Sequence, residues 1–173
     1  MPVSLFSGSL TGTRTSFSAL IWLLAVYFLF RVLFSQWPDL KEAFIYPTGI
    51  LVNLSGLSGE YAQGEWRYQF QTVRFILGEL CSGTTFFSLV TAYLIYQWRL
   101  RYIGLSWLAL AYPVTILANA IRVTASMILY LLLDSMQLTD LNEPLHIVCG
   151  VVTFLTTLLA LAYLIDITRK NHG

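Results

Sequence analysis

A thiol, a guanidinium and an imidazole are the groups in this sequence best placed for chemistry. They belong to Cys81, Arg122 and His146, each at the edge of or inside an apolar stretch. A thiolate is a strong nucleophile and forms readily at a helix N-terminus beside a cation. An imidazole can take the thiol proton and return it to a leaving amine. A guanidinium can stabilise an oxyanion or orient a scissile carbonyl. Together these are the parts of an acyl transfer.

Taken singly, each residue has an ordinary reading. A cysteine in an apolar segment is usually a small core residue, and a histidine at a helix start usually caps or sits at an interface. Arg122 is harder to dismiss, because a cation inside a long apolar helix costs several kcal/mol, on the order of 3, unless paired or hydrated. Glu79 complements a helix N-terminus, with a role in orienting Arg122 or His146 as the alternative. Ser82 and Asn119 are supporting candidates. Cys149 lies deeper than His146 and is read as packing. No C-x-x-C and no zinc-type spacing is present, so neither a disulfide framework nor a structural metal site is expected, and no cofactor is assigned.

The elements that must position these groups are membrane helices. The chain is 57% hydrophobic and only 11% charged, where about a quarter charged is usual for a soluble domain. Four stretches approach the roughly 20 apolar residues of a span: Phe17–Phe34, Thr84–Trp98, Ile103–Leu133 and Leu145–Ile167. The first has no cleavage signal before Gln36 and reads as a retained anchor. Arg14, Arg99, Arg101, Arg169 and Lys170 flank the apolar runs, which places them on the cytoplasmic side. Asp39, Glu42, Glu60, Glu65, Asp134, Asp140 and Glu143 then fall outside, and Asp166 inside. Residues 103–133 are expected to make one crossing kinked at Pro113, with Val123–Leu133 as a tilted or interface-lying extension.

Phe44–Leu57 is interrupted by Pro47, Gly49 and Gly56 and is expected to lie in the outer interface. Glu65–Ile76 alternates Trp66, Tyr68 and Phe70 with Arg67, Gln69 and Gln71 after the turn signal Gly64, predicting a short exterior hairpin before Cys81. The expected fold is an all-α polytopic membrane protein: about four transmembrane helices, an interfacial segment and this hairpin, in one domain over residues 1–173.

Polar side chains inside spans normally face a bundle interior. Three polar stripes have helical spacing: Cys81, Thr84, Thr85 and Ser88; Thr115, Asn119, Arg122 and Ser126; and His146, Cys149, Gly150, Thr153 and Thr157. They predict that three helices bring Cys81, Arg122 and His146 to one depth near the exterior.

Three short motifs in order, Glu79-Leu-Cys81-Ser82-Gly83, Asn119-Ala-Ile-Arg122 and His146 followed by Gly150, resemble the exosortase and archaeosortase family. The resemblance covers about residues 45–165, and the short chain is similar to small bacterial forms such as the exosortase K type. It implies a cysteine protease or transpeptidase in the bacterial inner membrane, with its active site facing the periplasm or exterior. Cys81 would be nucleophile, with Arg122 and His146 completing the catalytic set. The implied partners are exported proteins with a C-terminal sorting signal, a membrane helix and a basic end, along with a lipid or glycan acceptor in the envelope. Nucleic acid is not expected. Two other classes stay open: a non-catalytic membrane assembly or transport subunit, and a thiol oxidoreductase, which would need Cys81 and Cys149 to exchange.

Overall fold

The computed structural model describes residues 11–37, 39–70, 73–136 and 142–172, of which the side chains of 11–19, 73, 80, 142–145 and 171–172 are excluded. Gln71 and Asp140, together with the side chains of Arg14 and Glu143, therefore lie outside what is described. In order, the elements are α1 (Thr11–Gln36), α2 (Asp39–Leu54), β1 (Gly59–Ala62), β2 (Glu65–Phe70), β3 (Val73–Leu77), a 3₁₀ turn η1 (Glu79–Cys81), α3 (Thr84–Arg99), a second 3₁₀ segment η2 (Leu105–Leu110), α4 (Ala111–Ser135) and α5 (Asn142–His172).

The chain is mostly helical. Among the described residues, Leu105–Ser135 and His146–Lys170 are long and apolar enough to cross a membrane. A third candidate arises if Leu20–Gln36 and Asp39–Leu54, which meet at 95°, are taken together. α3, expected as a span, has 16 residues, about 24 Å at the helical rise and short of a hydrocarbon core of roughly 30 Å. The expected kink at Pro113 is replaced by another arrangement. η2 leads directly into α4 and Pro113 is its third residue, in the first turn, where a missing N–H costs the helix little. Val123–Leu133 simply continues α4.

The strand reading needs one addition. β2 and β3 form the expected antiparallel hairpin, and β1 joins it to give a three-stranded sheet in the order β1-β2-β3. Trp66 and Tyr68 are buried while Arg67 and Gln69 are exposed, as the alternation requires.

The sheet is fastened to α2 at two points. Trp66 Nε1 donates to the Tyr46 carbonyl at 3.2 Å, and the Tyr68 hydroxyl donates to the Gly49 carbonyl at 3.2 Å. A Cβ on Gly49 would lie 2.1 Å from the Trp66 indole, so only glycine lets the ring sit on the helix. Pro47 has no N–H to offer the Ala43 carbonyl one turn earlier; the Tyr112 hydroxyl of α4 bonds that carbonyl instead.

α4 is the central helix. Ala120, Val123 and Met127 meet the sheet and α2, and Ala111 and Ala118 join Phe86, Val90 and Leu94 of α3 and Leu161 and Ile165 of α5. α5 is peripheral: Val148, Val151, Leu155 and Leu159 are exposed, an apolar surface that suits lipid better than water. At the end of the bundle remote from Cys81, Arg99 stacks over Trp22 and Arg169 over Tyr102, and Asp166 pairs with Arg169 and Lys170.

Candidate active site

Cys81 closes the 3₁₀ turn that follows β3. The Cys81 N–H bonds to the Gly78 carbonyl at 3.0 Å and the Ser82 N–H to the Glu79 carbonyl at 3.2 Å. Gly83 then adopts φ +79°, a left-handed conformation that favours glycine, and α3 starts at Thr84. Cys81 is therefore not on the α3 helix, and the expected stripe through Cys81, Thr84, Thr85 and Ser88 is broken at Gly83. Thr84 and Ser88 are buried, but Thr85 is exposed and accepts a bond from Arg31.

Asn119 is what holds this turn to α4. Its Nδ2 donates to the Cys81 carbonyl at 2.8 Å and to Thr48 Oγ1 at 3.4 Å. The side chain is fully buried. A Cβ on Gly83 would come within 3.0 Å of it, so Gly83 is fixed both by its φ and by this approach. The buried Ser82 exchanges a hydroxyl contact of 3.1 Å with Thr84. Asn119 and Ser82 thus hold the turn in place.

Cys81 and His146 line one cavity of about 90 Å³. Its other walls are Phe75, Ile76 and Leu77 of β3 and Val123, Ser126, Met127 and Tyr130 of α4. Cys81 is partly accessible and His146 is exposed at the head of α5. Cys149, one turn farther along α5, is buried and free.

Arg122 is not in the wall of this cavity. It lines a second cavity of about 290 Å³ with Ser82, Gly83, Thr84 and Phe154. It is 8% exposed, its guanidinium carbon lies 5.4 Å from the Phe154 ring, and its Cδ lies beside Gly150 of α5. Nε and Nη2 are buried without a hydrogen-bond partner among the described residues. Glu79 pairs with neither Arg122 nor His146: it bonds Lys41 of α2 at 2.6 Å, with Glu79 well exposed. The structure therefore joins Cys81 to His146 in one cavity and places Arg122 in the wall of another, with its Cδ beside Gly150, four residues along α5 from His146.

Arg31 and Lys41 line the second cavity too and are the residues a motif-based reading passes over. The signal for Arg31 was present, since a cation within the apolar run of the first helix calls for a partner. Among the described residues, no group of three or more His, Cys, Asp or Glu side chains could hold a metal ion. Comparison with family models, with curated proteins and with solved structures finds no match to this chain.

Proposed function

We propose that the chain is a membrane-embedded cysteine transpeptidase or protease of exosortase-like type, with Cys81 as nucleophile, His146 as acid/base and Arg122 as electrostatic stabiliser. The observation that carries this reading is the cavity Cys81 shares with His146 beside β3. The Cys81 thiol adds to a scissile carbonyl as its proton passes to His146. The tetrahedral adduct collapses with cleavage of the C–N bond, and His146 protonates the departing amine. The resulting thioester passes its acyl group to water or to an acceptor on the envelope. Arg122 directs positive charge toward the developing oxyanion.

β3 is an edge strand, and three of its residues wall the cavity. An extended peptide can pair with such an edge, which would lay a substrate segment alongside Cys81. The substrate is an exported protein whose C-terminal tail carries a membrane helix and a basic end. In this arrangement α1, α3, η2–α4 and α5 cross the inner membrane, with α3 shortened to fit a locally thinned bilayer. α2 lies in the outer interface, the sheet is exterior, and the arginine-rich end is cytoplasmic.

Co-expression of the chain with exported proteins of that description, followed by mass spectrometry of their tails, tests the reading. Tail removal that requires Cys81 and His146 is expected. Intact tails beside folded enzyme and a matched substrate would instead favour a non-catalytic membrane subunit.

A further inference from the structure

The cavity that Arg122 lines is rich in charge. Arg31, Lys41 and Arg122 reach it from three different helices, against the single carboxylate of Glu79. Arg122 is more than nine-tenths buried and brings two nitrogen atoms, Nε and Nη2, that no described residue accepts from. A buried guanidinium left unpaired is costly, and such donors call for an acceptor. The same cavity is lined by Thr84, Thr85 and Phe86, the first turn of the 16-residue α3. Their amides have no acceptor within the helix, and Gly83 offers no capping side chain.

We propose that this cavity is a binding site for a phosphate group, distinct from the Cys81–His146 cavity. Arg122 lends the anion its buried, unpaired charge, the first turn of α3 forms part of the wall, and Arg31 and Lys41 close the rim. An arginine fork with helix N-terminal amides matches the oxygens of a tetrahedral anion. The excess of cations favours phosphate over a neutral polar ligand. The site shares Arg122 with the proposed catalytic set but none of the residues of the other cavity, so phosphate binding can be read whether or not Cys81 is a nucleophile. A bound phosphate would lie beside the turn that carries Cys81 and would hold that turn rigid.

Binding to the full-length chain in maltoside micelles tests the proposal, with three probes: inorganic phosphate, dioleoyl phosphatidic acid and dioleoylglycerol, which has the same chains without the phosphate. Phosphate-dependent binding is expected, weakened about tenfold by Arg31→Gln and by Lys41→Gln, as for the loss of one charge-assisted contact. Glu79→Gln should strengthen it by removing the competing carboxylate. Arg101→Gln, at the remote end of the bundle, should leave it unchanged. Arg122→Gln should abolish it; should that variant fail to fold, the two rim variants still decide. Binding of phosphatidic acid alone assigns a lipid headgroup, and binding of both phosphate probes assigns the phosphate group itself. Equal binding of dioleoylglycerol, failure of both phosphate probes to bind, or affinities indifferent to Arg31 and Lys41 would overturn the proposal.

Discussion

Asn119 spends its amide on the backbone of Cys81, at 2.8 Å, from a position with no access to solvent. Asn119→Ala leaves the Cys81 carbonyl without its donor, at a cost of about 1–3 kcal/mol. The expected result is a lowered thermal midpoint and a matching loss of tail removal, both read on the purified variant. An unchanged midpoint would mean that the turn holds itself. Glu79 is different: its pairing with Lys41 is exposed, so Glu79→Gln should change stability by about 1 kcal/mol at most, checked on the same melting curve. The two residues stand in adjacent short motifs. Only Asn119 could be ranked by burial from the sequence, because it lies one turn from Arg122 inside an apolar helix, whereas nothing near Glu79 announced Lys41, 38 residues away.

At the scale of elements, the sheet depends on a helix that tolerates an indole on its backbone. Gly49→Ala drives a methyl into Trp66 and should cost about 1–3 kcal/mol or more, as overpacking does. Urea or thermal unfolding followed by Trp fluorescence measures it; Gly56→Ala, where a Cβ meets nothing, should cost about 1 kcal/mol for its φ of +94° alone. If the two variants were equal, the indole seat would not be a constraint. β2 was legible as a strand because Trp66, Tyr68 and Phe70 alternate with polar residues. β1 was not, since its four residues carry no such alternation and are defined by pairing with β2. The break between Cys81 and α3 was hidden for a similar reason. Helical spacing runs smoothly through the sequence there, and only the positive φ of Gly83 interrupts it.

For the whole molecule, three long-range facts had no sequence signature: α4 as the central helix, the sheet anchored on α2, and separate cavities for Cys81 and Arg122. All three come from packing between residues far apart in the chain. The buried Tyr68 links the sheet to overall stability, because burial pushes its hydroxyl up to about 12 from an ordinary 10.0. In the range between those values the unfolded chain has released this proton and the folded chain keeps it, so Tyr68 lowers stability as pH rises from about 10. Tyr68→Phe should flatten that alkaline loss while giving up the bond to Gly49; parallel pH–stability curves for both proteins would contradict it.

The pairing of Cys81 with His146 in one cavity is the central claim, and it can be tested without knowing a substrate. In a Cys149→Ala background, the rate at which iodoacetamide alkylates Cys81 at pH 7 is measured for the chain with and without His146→Ala. The account predicts a fall of about tenfold or more on removing the imidazole, because a base beside the thiol raises the share of reactive thiolate. Equal rates, with the fold intact in both proteins, would show that the imidazole does not act on the thiol and would contradict the assignment.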